Sequence, residues 1–98
     1  MTSVTLDKTP DRYTIEAVGH AERSVQACAA VSVLMYSILG YLSNAEGVDI
    51  KDWDTADGFF SLEWSGGGAA HVMYDFGKIA FLQLEKSYGE YVAVKIKK

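Results

Sequence analysis

Polar and apolar positions alternate from Ser3 to Leu6 and again from Tyr13 to Val18, where Tyr13, Ile15 and Ala17 share one side. A period of two sends successive side chains to opposite faces, so both stretches predict strands with one buried face. Pro10 and Asp11 mark the turn between them, and Gly19 ends the second. His20 to Ser24 reads as a short polar loop, and Ser24 suits a helix N-cap because its hydroxyl can accept an orphan N–H of the first turn. Val25 to Leu42 is apolar nearly all round. That pattern predicts a helix buried on most sides, with Met35 and Tyr36 in the core. Ser43, Asn44 and Gly47 end it.

Trp53 to Asp57 and Phe59 to Ser65 flank Asp57-Gly58, a hairpin signal that predicts a type I′ turn. Phe60, Leu62 and Trp64 fall on one face of the second arm. Phe59 and Phe60 are adjacent and point to opposite faces, so one of them lies at a dimer interface or a substrate groove, or is a lone exposed aromatic. Gly66-Gly67-Gly68 breaks the strand as a connector; no Lys-Ser/Thr follows to make a phosphate loop. Ala69 to Tyr88 predicts a second helix, with Val72, Met73, Phe76, Ala80 and Leu84 at helical spacing and Gly89 closing it. Tyr91 to Ile96 predicts a last strand. The order is ββαββαβ. Two helices packed on a small, mostly antiparallel sheet, an α+β (mixed α/β) fold, is the economical architecture, with one domain over residues 1–98.

Composition narrows the function more than the fold. Nine basic and thirteen acidic side chains give a net charge of −4, which disfavours nucleic acid as a partner. The N-terminus has no basic region followed by an apolar one, so no secretory signal is expected. The longest apolar run, Ala27 to Leu42, falls short of the roughly 20 residues that span a bilayer, so no membrane partner is expected. The short basic end Val94 to Lys98 reads as a solvated tail. Cys28 is the single cysteine. It excludes an internal disulfide and a cysteine-rich zinc site, and it suits a reducing, cytoplasmic compartment. His71 reads as a satisfied helix-terminal histidine rather than a metal ligand, and no metal or cofactor is called for.

Gly19, His20 and Cys28 carry the candidate chemistry. A histidine just past a strand and a cysteine in the first turns of the next helix can converge across the intervening loop. A helix N-terminus and a neighbouring imidazolium both favour a thiolate. His20 would take the thiol proton and return it to a leaving amine, and first-turn N–H groups would supply an oxyanion hole. Ser32 lies one turn beyond Cys28, where it orients the thiol or back-bonds within its own helix. A lone cysteine in an apolar helix is more often buried and inert, so spacing alone leaves both readings open.

Gly19-His20-Ala21, followed by Cys28-Ala29-Ala30-Val31-Ser32-Val33-Leu34, resembles the paired motifs of the ribosomal-processing cysteine proteases, the Prp or YsxB-like family. Leu82 to Tyr88 and Tyr91 to Val94 resemble that family's closing helix and strand. The resemblance implies a homodimeric cysteine endopeptidase that removes an N-terminal extension from a protein substrate, a large-subunit ribosomal protein or a phage structural protein. It implies His20 as general base, Cys28 as nucleophile, Gly19, Ala21 and Ser32 in support, and Glu22, Arg23 and Ser24 in a loop that grips substrate. The segment Ala21 to Ala27 is shorter than the family's loop, and Val25 stands where the family has an acid. Glu22 or an aspartate from elsewhere is then the candidate carboxylate. The alternative is a non-enzymatic dimeric binding module that keeps the fold.

Overall fold

The structure is a computed structural model that describes residues 1–19 and 24–97. Its elements run β1 (Thr2–Lys8), β2 (Tyr13–Val18), α1 (Val25–Asn44), β3 (Val48–Ala56), β4 (Phe59–Gly66), α2 (Ala69–Ser87) and β5 (Val92–Ile96). The ββαββαβ order is the one the sequence pattern predicts. The strands form one sheet in the order β3-β4-β2-β1-β5. Only the β1–β5 pair is parallel; the other three pairs are antiparallel. The sheet is therefore mixed and mostly antiparallel, and both helices share its core.

The register explains the burial. Leu6, Ile15 and Leu62 lie in one row across β1, β2 and β4, and Val4, Ala17 and Phe60 in the next. All six are buried beneath the helices. Burying such side chains contributes roughly 1.5–3 kcal/mol each, which fixes the register, since a one-residue slip would turn every one of them outward. Trp64 is completely enclosed, and its indole N–H donates to the Ala70 carbonyl at 3.0 Å. That bond fastens the end of β4 to the start of α2.

The helices depart from expectation in which residues they bury. α1 buries only one stripe, Ala27, Val31, Met35, Ile38 and Leu42, and leaves Val25, Val33, Tyr36 and Tyr41 exposed. A two-layer fold covers a helix on one side only, so an apolar composition all round does not produce burial all round. α1 is also twenty residues long and apolar enough to cross a membrane by length and composition. Length does not separate α1 from a membrane span, contrary to expectation; its stripe packed in the core marks it as a core helix. In α2 the stripe is Ala70, Tyr74, Gly77 and Phe81, while Val72 and Phe76 face outward. The expected face was rotated because Gly77 carries no hydropathy signal. It is buried because α2 comes so close to β2 and α1 that an added Cβ would sit 3.0 Å from Ile15 Cδ1 and 3.3 Å from Ile38 Cδ1.

The hairpin turn falls on Asp57-Gly58 as expected but is not type I′. Gly58 has φ of 71°, and no non-glycine residue among those described has a positive φ. A type I′ turn needs both central residues there. β3 begins at Val48, five residues before the expected Trp53, and runs through an irregularity between Ile50 and Asp52. The extra residue, Lys51, breaks the alternation by which the strand would be recognised.

Candidate functional site

The Val18 end of β2 meets the N-terminus of α1 and the β3–β4 turn. Gly19 is held there from two sides. Its N–H donates to the Gly58 carbonyl at 2.7 Å, and its carbonyl accepts from the Thr2 hydroxyl at 3.3 Å. Its φ is 98°, and a Cβ would collide with the Met1 carbonyl oxygen. Glycine is required on both counts. His20, Ala21, Glu22 and Arg23 follow and lie outside the described residues.

The chain is described again at Ser24, which is the N-cap that its position predicts. Its backbone is extended and its hydroxyl accepts from the Ala27 N–H at 3.0 Å, while its carbonyl accepts from the Cys28 N–H at 3.1 Å. Ser24 is buried, and its hydroxyl caps the helix. These bonds also engage the N–H groups of Ala27 and Cys28.

Cys28 is exposed and opens onto a cavity of about 230 Å³ that it lines together with Gly19, Ser32, Tyr36, Asp57 and Phe59. Free cysteine is among the most buried residue types; this one is placed where a ligand can reach its sulfur. Ser32 stands one turn further along α1 on the same wall. Tyr36, expected in the core, is half exposed and packs edge-on against Phe60, with ring centroids 4.9 Å apart at 84°. Phe60 is buried and Phe59 partly so, and both border the cavity. α1 supplies the opposite wall of the cavity. Asp57 is the one charged side chain among the described lining residues, and sequence reasoning did not single it out. Its place follows from β2–β4 pairing, which brings the hairpin turn beside Gly19, a contact that no local pattern reports.

His71 belongs elsewhere. It lies in the first turn of α2, with Nδ1 3.4 Å from the Tyr13 hydroxyl and Nε2 3.2 Å from the Asp75 carboxylate. Tyr13 is the opposite end of β2, about 17 Å from Val18 at ~3.3 Å per residue. His71 is a surface residue with partners, and it shares no site with Cys28.

No family model matches the chain, and no curated protein matches it. Solved structures do. The chain has the fold of a ribosomal processing protease, along its whole length. The structure that carries this likeness is an essential ribosomal processing protease, Prp, from S. aureus, solved in complex with a covalently linked product peptide; it superposes with a TM-score of 0.85 at 16% identity, covering 99% of this chain and 100% of that one. The protein SMU.848 from Streptococcus mutans matches with a TM-score of 0.73 at 22% identity, over 98% of this chain and 93% of that chain. A hypothetical protein from Staphylococcus aureus matches with a TM-score of 0.72 at 13% identity, over 99% and 100% of the respective chains. At these identities the likeness is one of fold.

Proposed function

We propose that the protein is a cysteine endopeptidase in which Cys28 is the nucleophile and His20 the general base. The observation that carries this reading is the exposed Cys28 at the head of α1, lining a cavity together with Gly19, one residue before His20. The fold shared with a protease that was solved with a covalently linked product peptide supports it.

In this reading the thiol proton passes to the His20 imidazole and Sγ attacks the scissile carbonyl carbon, forming a C–S bond and an oxyanion. Backbone N–H groups at the positive end of α1 stabilise that oxyanion. The intermediate collapses, the C–N bond breaks, and His20 returns the proton to the departing amine. Water then attacks the thioester, releasing the new carboxyl end and restoring the thiol. Asp57 is the carboxylate among the described residues that line the cavity, and the candidate to orient the base in place of the acid absent at Val25. The substrate in this reading is the N-terminal extension of another protein, a ribosomal protein by family resemblance, and the enzyme works as a homodimer in the cytoplasm.

The test is cleavage of extension-bearing substrate protein by the wild type and by the Cys28→Ala and His20→Ala variants. Cleavage should fall at least about a thousandfold in both, as expected for members of a catalytic unit. Equal cleavage by all three would overturn the assignment, and binding without cleavage by the wild type would favour the non-enzymatic module.

A further inference from the structure

β3 is the end strand of the sheet, and its outer edge pairs with no other strand among the described residues. A nine-residue edge of this kind presents a row of backbone donors and acceptors to any extended chain. Its side chains decide which chain can use it. Asp49, Asp52 and Asp54 pair with Ser65, Glu63 and Ser61 of β4, so all three project to the face of the sheet that the helices leave open. The irregularity at Lys51 is what brings Asp49 and Asp52, three residues apart, to the same face. Glu63 and Glu16 lie behind them in the next two strands. Among the described residues the local cations answer only part of this charge: Lys51 bonds Asp49 at 2.6 Å and Arg12 reaches Glu63 at 3.6 Å. On the other face of β3, Trp53 is half exposed.

We infer that the free edge of β3 docks an extended polypeptide segment in which every second residue is lysine or arginine. Such a strand would continue the sheet, lay its cationic side chains over Asp49, Asp52 and Asp54, and turn its intervening side chains toward Trp53. A second copy of this chain fits poorly, because pairing β3 with itself sets aspartates opposite aspartates. The docked segment has a destination. Thr55, Ala56 and Asp57, at the end of β3, line the Cys28 cavity, so a chain following the edge is led to the sulfur. This last step rests on the peptidase reading; the docking does not.

The probe is a capped Lys-Val-Lys-Val-Lys-Thr peptide titrated against the full chain, read through the fluorescence of Trp53, since Trp64 is enclosed. The control peptide has glutamate in place of lysine. We expect the basic peptide to bind and the acidic one not to. Removing two exposed charges, Asp52→Asn with Asp54→Asn, should weaken binding about tenfold, at a few-fold per exposed pair. Asp52→Lys with Asp54→Lys should reverse the preference. Methylating alternate peptide amides on the ladder side should abolish binding. Cys28→Ala should bind as the wild type does, which separates failure of the docking from failure of the catalytic assignment. Equal binding of basic and acidic peptides, no loss in the aspartate variants, or undiminished binding of the methylated peptide would each overturn the proposal. So would a concentration-dependent dimer that the Asp52→Lys, Asp54→Lys variant abolishes while peptide binding persists.

Discussion

The two ends of β2 are built from the same strand and packed to opposite purposes. At the Tyr13 end, Tyr13 stacks on Trp64 at 5.7 Å between centroids and packs against Tyr74 at 5.3 Å, and the Trp64 N–H is bonded to Ala70. The interior there is filled and its polar atoms are answered. At the Val18 end the chain turns on a glycine with positive φ, a cysteine is exposed, and a cavity remains. Close packing stabilises by burying area and leaves no room for a ligand. A reactive site needs the reverse, a sulfur in reach of substrate beside unfilled space. The aromatic end therefore bears the cost of stability for a strand whose other end is left open.

Substitutions at the two ends should separate accordingly. The largest effect on stability belongs to the aromatic end. Trp64→Ala should cost about 3–5 kcal/mol, through lost burial and an orphaned Ala70 carbonyl, which denaturant unfolding would measure as a large fall in midpoint. Gly19→Ala comes next, at about 1–3 kcal/mol, because a side chain at that φ is strained and meets the Met1 carbonyl. It should also abolish cleavage by displacing the end of β2. A variant that loses stability but keeps full cleavage would show that Gly19 does not set the site.

Tyr74 gives a smaller effect that appears only in alkali. Burial, reinforced by the charges of Asp7 and Asp75, raises its hydroxyl pKa above the ordinary 10.0. The unfolded chain releases that proton near pH 10 while the folded chain keeps it. Above pH 10 the unfolded state thus binds fewer protons, and stability falls as pH rises. The contribution is whole below pH 10 and is lost as pH climbs through the folded-state value. Unfolding free energies at about pH 9 and about pH 11 should diverge more in the wild type than in Tyr74→Phe. The smallest effect belongs to His71. His71→Ala removes a half-exposed i,i+4 pair worth under about 0.5 kcal/mol and should leave cleavage unchanged. A large loss of activity in that variant would place a second histidine in the mechanism.

The two ends were also unequally legible in the sequence. The order of elements along the chain, the Ser24 cap, the Asp57-Gly58 turn and the Trp64 face all follow from local periodicity and capping chemistry. The position of Cys28 at the head of a helix does too. What the sequence could not report is what lies opposite. Asp57 and Tyr36 reach the cavity through pairing of β2 with β4 and packing of α1 on Phe60, contacts between segments far apart in the chain. The buried face of α2 is not legible because Gly77 packs by having no side chain. The start of β3 is hidden because an inserted lysine interrupts its alternation. In each case a tertiary contact, rather than a local preference, set the outcome.

In the proposed mechanism Cys28 forms a covalent bond to the substrate's carbonyl carbon. The most direct measurement is the intact mass of the protein, acid-quenched during turnover of a cleavable substrate, with the modified residue mapped by peptide fragmentation. The expected product is a thioester adduct of the acyl fragment on Cys28, absent from Cys28→Ala. Cleavage that proceeds with no adduct, and at the same rate in Cys28→Ala, would contradict it.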